Sequence, residues 1–238
     1  IEEQYLKSSF SREKTVSLKL TQEKYTHFEE EYYLLAKELR EFNPDAIGLS
    51  VISLSIPEAI KTTQFLRENF DVPIAWGGVG VTLQPEIAIE HADLVCVGDG
   101  EEVIVEFADC LQNNSDWTTI LGTWARTPDG EIIQNAKRPI PSLDTIAIPN
   151  WEPRSLRYIT GSKVVKHKLA YQKLTEGEYQ IMTQRGCPFS CSFCVESRYQ
   201  EMFGKKNSLR RRSVDLGVRG MVAAKESFDP RILWFWDD

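Results

Sequence analysis

Ala46-Ile47-Gly48-Leu49-Ser50-Val51-Ile52 is a nearly continuous apolar run of strand length, the pattern of a parallel strand covered on both faces. It is expected to be a central strand. Pro57 suits the first turn of a helix, and Ala59, Thr63, Leu66 and Phe70 fall along one face of it. Val72-Pro73-Ile74-Ala75-Trp76 is a second strand that runs straight into Gly77-Gly78, and Asp93 to Val97 is a third. Between them Pro85 to Glu90 forms a short helix; Glu101 to Leu111 forms another, with Ile104, Phe107, Ala108 and Leu111 inward. Upstream, Phe28, Tyr32, Leu35, Leu39 and Phe42 recur at helical spacing until Asn43-Pro44-Asp45 stops them. Such alternation implies a parallel sheet with helices on both faces, and ligands at the carboxyl ends of its strands. The loops so placed are Ser50 to Ser55, Gly77 to Thr82 and Gly98-Asp99-Gly100.

Further along, Leu121 to Arg126 and Glu131 to Gln134 flank Pro128-Asp129-Gly130 as a closing hairpin. Pro139, Pro141, Pro149 and Pro153 punctuate a connector. Tyr179 to Thr183 is then a strand, Ser213 to Glu226 a helix and Arg231 to Trp236 a last strand, a βαβ unit of the kind that opens an α/β barrel. The expected domains are residues 1–140, a linker over 141–175, and 176–238. The chain opens at Ile1 rather than Met and stops directly after an apolar strand, so it is expected to be a fragment at both ends and inactive by itself.

Composition excludes several classes. With 42% hydrophobic and 26% charged residues the chain is ordinary for a globular protein, and a net charge of −7 argues against broad, charge-driven nucleic-acid binding. No apolar run approaches the ~20 residues of a membrane span and no signal peptide is recognisable, so the expected location is cytoplasmic. In a reducing compartment Cys187-Pro-Phe-Ser-Cys191-Ser-Phe-Cys194 is a poor disulfide framework, and three thiolates in eight residues point to a metal. Structural zinc needs four closed ligands, and no partner pair follows Cys194. Three cysteines suit an iron–sulfur cluster with one iron open to another ligand. Cys96 and Cys110 sit within apolar element patterns.

The CxxxCxxC spacing at the end of a first barrel strand, with Phe193 just before the third cysteine and Gly186 just before the first, resembles the radical S-adenosylmethionine (SAM) enzymes. The resemblance implies a [4Fe-4S] cluster held by Cys187, Cys191 and Cys194, SAM chelated at the fourth iron and cleaved by one electron to a 5′-deoxyadenosyl radical, and Phe193 beside the adenine. Arg210-Arg211-Arg212-Ser213 and the strand end Trp234-Phe235-Trp236-Asp237-Asp238 resemble the cobalamin-binding branch of that family. There Asp237 and Asp238 would accept hydrogen bonds from the SAM ammonium. The basic stretch from Lys205 to Arg212 is either a solvated face or a contact for an anionic group.

Gly48-Leu49-Ser50, Trp76-Gly77-Gly78 and Val97-Gly98-Asp99-Gly100 resemble, in order, the strand-end loops of that branch's B12-binding domain. Ser50, Gly77, Gly78, Gly98 and Gly100 are thereby the candidate cobalamin contacts, glycines letting backbone approach the corrin. Neither glycine cluster is a dinucleotide fingerprint, because Leu83 and Val103 stand where a third glycine would be. The Asp-x-His-x-x-Gly motif of many cobalamin proteins is absent, which implies cobalt without a protein histidine or a domain that does not bind B12.

The fold class so implied is α/β, a Rossmann-like (flavodoxin-like) B12-binding sheet followed by the first βα units of a radical SAM partial TIM barrel. The implied function is reductive SAM cleavage with cobalamin in methyl transfer or rearrangement at an unactivated position, a methyltransferase activity being included. Its partners would be a small-molecule substrate and a reductant such as flavodoxin or ferredoxin. Two alternatives stand beside it: a radical SAM enzyme whose first domain does not bind cobalamin, and a non-catalytic iron–sulfur or zinc module. As a buried strand residue, Cys96 is expected to be replaceable: Cys96→Ser should leave iron content after reconstitution unchanged, and loss of iron would mark a fourth protein ligand.

Overall fold

A computed structural model describes residues 17–20, 28–149, 156–166 and 177–237. Two compact units divide the chain, one containing Leu39–Pro139 and the other containing Ser11–Glu38 and Ile140–Asp238. In chain order the elements are β1 (Ser17–Leu20), α1 (Phe28–Phe42), β2 (Ile47–Ser50), α2 (Ile56–Asn69), β3 (Ile74–Gly77), α3 (Val79–Leu83), α4 (Pro85–His91), β4 (Leu94–Cys96) and α5 (Glu101–Asn113). The hairpin β5 (Thr123–Arg126) and β6 (Ile132–Gln134) follows, then a second hairpin, β7 (Leu156–Thr160) and β8 (Lys163–Lys166). The last elements are β9 (Glu178–Ile181), β10 (Gln184–Arg185), α6 (Val195–Phe203), α7 (Lys205–Ser208), β11 (Arg210–Arg211), α8 (Val214–Phe228) and β12 (Ile232–Phe235).

The first unit is a five-stranded sheet in the order β2-β3-β4-β5-β6. The first three strands are parallel and the last two antiparallel. Successive residues of β3 face opposite sides, as a strand requires. Ala75 joins Leu94, Cys96 and Ala125 under Val103 and Phe107 of α5. On the other side the Trp76 indole N–H donates to Thr63 Oγ1 of α2 at 2.9 Å, both side chains being buried. Apolar β3 residues therefore carry helices on both faces.

Several details correct the sequence expectations. Among the described residues β2 pairs with β3 alone and stands at the sheet edge, with Gly48 and Ser50 exposed; it is not central. Its apolar run extends past the strand because Val51 packs in the loop beyond it, at 2% exposure. On α5, Phe107 and Ala108 are buried as expected, but Val103 takes the inward place expected of Ile104, which is exposed. Phe70 lies just past the end of α2 in an extended conformation, with the Arg40 guanidinium over its ring.

In the second unit, β1 runs parallel to β7, which forms a hairpin with β8. This three-stranded sheet was not anticipated in the polar N-terminal stretch or in the segment read as linker. It is tied to α1 by Glu38, a buried carboxylate that takes Arg157 of β7 at 3.1 Å and Lys166 of β8 at 3.0 Å. Farther on, β9 and β12 are parallel, joined through a chain that includes α8, and Tyr179 and Ile181 of β9 pack on Ala224. This is the expected βαβ unit. Pro153 of the connector and Asp238 lie outside the described residues.

Thr63→Val would leave the Trp76 indole N–H buried without an acceptor. The first unit is expected to lose about 1–3 kcal/mol of stability, read from denaturant unfolding, and Thr63→Ser to lose much less.

Candidate functional site

Parallel pairing brings the carboxyl ends of β2, β3 and β4 to one edge of the sheet, and the three loops that leave them are stitched together there. The Val51 amide donates to Gly77 O at 2.8 Å, and the Gly80 amide donates to Val51 O at 3.0 Å. Thr82, buried on α3, donates its hydroxyl to Gly78 O at 3.1 Å and accepts from the Gly98 amide at 3.1 Å. One side chain thus joins the second loop to the third. The segment expected to be a loop through Thr82 becomes helical at Val79, and that turn is what delivers Thr82 to the junction.

Gly78 has φ +102, and a Cβ there would stand 2.7 Å from Val51 O. The glycine is therefore required by backbone packing between two loops. Ser50 is exposed at the same edge, and beyond it Ile52 and Leu54 are exposed, Leu54 at 89%. Gly77, Gly98 and Gly100 are half-buried. Gly100 precedes α5 and lies against Cys96. Burial, reinforced by the charges of Glu101 and Asp99, pushes the Cys96 thiol up to about 12. It is a protonated, unreactive sulfur at neutral pH.

In the second unit the cysteine loop leaves the carboxyl end of β9 and is fixed at its base by three devices. Gln184 and Arg185 pair antiparallel with Arg211 and Arg210. Gly186, at φ +88, is pressed so close to Ser208 that a Cβ would lie 2.0 Å from its carbonyl oxygen. Asp237, at the end of β12, accepts from the Thr183 amide at 2.6 Å, the Thr183 hydroxyl at 2.5 Å and the Gln184 amide at 3.0 Å. Burial alone would raise its pKa, but these hydrogen bonds outweigh that and hold the carboxyl below its ordinary value. Its carboxylate is committed to the turn that leads into the cysteines.

Within the loop, Cys187 and Cys194 are half-buried, Cys191 is exposed, and all three are free thiols. Phe193 is 92% exposed and Phe189 exposed beside it in sequence. Cys194 is the residue before α6; its amide donates to Cys191 O at 3.1 Å, and the Ser197 hydroxyl donates to the same oxygen at 2.6 Å. Gln200 of α6 reaches back, its amide nitrogen donating to Cys187 O at 2.6 Å and Phe189 O at 2.8 Å, while its oxygen accepts from Ser190 Oγ at 2.9 Å. Neither Gln200 nor Ser197 was found from the sequence; a Ser three residues after a helix-leading Cys is the only hint. The basic stretch has a local use as well. Arg210 donates to Pro141 O and Arg212 to Ile146 O, while the Ser213 amide donates to Asp144 Oδ1.

The donor set fits an iron–sulfur cluster: three free thiols on one loop at the carboxyl end of a barrel-type strand. Among the described residues no three His, Cys, Asp or Glu side chains converge on a single ion. At the edge of the first unit the exposed groups include the Ser50 hydroxyl and the apolar side chains of Ile52 and Leu54, beside the glycine loops.

These features define an α/β cofactor-binding sheet followed by the opening βα unit of a barrel with a cysteine site. Residues 24–108 match the B12 binding domain family. An uncharacterized methyltransferase of Pyrococcus horikoshii is 27% identical over 209 residues, 86% of this chain and 42% of its own length. The radical S-adenosylmethionine methyltransferase TsrM from Kitasatospora setae, solved with tryptophan substrate and a SAM analog, matches with a TM-score of 0.63 at 19% identity, over 87% of this chain and 39% of that one. The cobalamin-dependent S-adenosylmethionine radical enzyme OxsB, solved with aqua-cobalamin and SAM, matches with a TM-score of 0.60 at 20% identity, over 87% and 27%. The first unit thus carries a B12-binding-type domain, and over most of its length the chain is similar to radical SAM methyltransferases and shares their fold. It spans less than half the length of each relative named. Among the described residues no helix is long and apolar enough to cross a membrane.

Thr82→Val removes the hydroxyl between the second and third strand-end loops. It is expected to speed amide exchange at Gly98 by roughly tenfold or more, the lost bonds being worth about 1 kcal/mol each, while exchange in β3 and β4 stays unchanged.

Proposed function

We propose that this protein is the cofactor-binding part of a cobalamin-dependent radical SAM enzyme that acts by methyl transfer or rearrangement at an unactivated position of a small molecule. The observation that carries this is the free-thiol set Cys187, Cys191 and Cys194 on one braced loop at the end of β9, downstream of a B12-binding-type sheet. The domains in this reading are residues 1–140 for cobalamin, 141–175 as connector and 176–238 as the start of the barrel.

Cys187, Cys191 and Cys194 would hold a [4Fe-4S] cluster, and Phe193, exposed on the same loop, would face the adenine of SAM. When bound, the cluster and SAM supply one-electron chemistry that the side chains of this chain cannot perform. The residues around them orient and shield. Ser50, with Gly77, Gly78, Gly98 and Gly100, would meet cobalamin, Ser50 through its exposed hydroxyl and the glycines through backbone. Asp237 and Asp238 would be the acids offered to the SAM ammonium, Asp237 while also bracing Thr183 and Gln184. A reductant such as flavodoxin or ferredoxin would supply the electron.

The test is anaerobic reconstitution with iron, sulfide and hydroxocobalamin, followed by absorption and electron paramagnetic resonance with and without SAM. A [4Fe-4S] signal perturbed by SAM together with retained corrin is expected. Cys191→Ala should abolish the cluster signal and leave corrin retention intact. A cluster without corrin would remove cobalamin from the function, and iron retained in full by Cys191→Ala would overturn the ligand assignment.

A further inference from the structure

Gln200 is a polar side chain at 8% exposure on the helix that follows the third cysteine. Its amide is fully used: both donors go to carbonyls of the cysteine loop, those of Cys187 and Phe189, and its oxygen takes the Ser190 hydroxyl. Residues 187–190 belong to no helix or strand, and Pro188 has no N–H to offer. One side chain therefore gathers two backbone carbonyls and one hydroxyl from three of four consecutive residues and holds their path. A carboxamide is suited to this because it carries two donors and an acceptor in one rigid plane. Glutamate would lose the donors and leucine all three groups.

We propose that Gln200 is the positioning residue of the cluster site, holding the Cys187–Ser190 segment in the metal-free protein so that Cys187 is presented in register with Cys191 and Cys194. This rests on the reading of the three cysteines as cluster ligands. Sites that hold metals work when the ligands are placed beforehand by groups behind them, and ordering the loop in advance removes that cost from cofactor binding. Ser197 does the corresponding service for the other half of the loop, its hydroxyl on Cys191 O. The two polar residues divide the loop between them: Gln200 holds the segment from the first cysteine, and Ser197 the turn between the second and third.

Hydrogen-exchange mass spectrometry on the metal-free protein tests this without the cluster. In Gln200→Leu and Gln200→Glu, exchange across residues 187–194 should rise by roughly tenfold or more for the bonds lost, with β9 and α8 unchanged, whereas Ser190→Ala should stay near wild type. Lowering the pH should partly restore Gln200→Glu, whose protonated carboxyl regains one donor, and should not restore Gln200→Leu. After reconstitution, both variants should release iron to a chelator faster than wild type and give a broadened reduced-cluster resonance. Wild-type exchange in the loop of both variants overturns the proposal, as does iron release at the wild-type rate. A wild-type protein that takes up no cluster overturns the assignment of the cysteines, a result distinct from unchanged behaviour of the Gln200 variants in a wild type that does.

Discussion

Parallel strand pairing is the constraint on which both units depend. A strand paired parallel to its neighbour must be reached by a crossover, so every such strand ends at the same edge and every functional loop leaves from there. In the first unit this collects the loops after β2, β3 and β4; in the second it places the cysteine loop after β9 beside Asp237 at the end of β12. The chemistry proposed for each site is possible because residues far apart in the chain share that edge. Within β9 and β12, register matters in detail: Ile181 opposite Phe235 lets Asp237 reach the Thr183 and Gln184 amides, and a slip of one residue would turn the carboxylate to the other face.

The fold was legible where burial imposed a period. Val72 to Trp76 and the Glu101 helix stand where apolar spacing puts them, because a strand covered on both faces and a helix packed on one face each restrict composition at a fixed period. The failures have physical causes. Ala46 to Ile52 is apolar as a central strand would be, yet β2 is an edge; its last residues are apolar because the loop beyond it is buried. Val79 to Leu83 was hidden by glycines that serve loop packing while a helix begins among them. The pairing of β1 with β7 joins segments well over a hundred residues apart, which no local pattern records.

At the sites, thiol spacing was readable because metal chemistry restricts both residue type and separation. The braces were not. Gln200, Thr82 and Asp237 act mainly through backbone carbonyls and amides, so most of their partners carry no side-chain signature, and a glutamine in a polar helix looks like any solvated one. The arginines of 210 and 212 add to this bracing, their guanidinium groups donating to carbonyls of residues 141 and 146. Polar residues in this molecule mostly shape the path of the chain between the groups that do chemistry.

β12 is apolar on both faces, and Ile232, Leu233, Trp234 and Phe235 are all exposed, with the Trp234 and Trp236 rings 6.5 Å apart. Among the described residues it pairs on one side only, with β9. An open edge of that composition is a template for strand addition from another molecule. Trp234 and Trp236 are both exposed there, so intrinsic fluorescence would report directly on whatever packs against this strand.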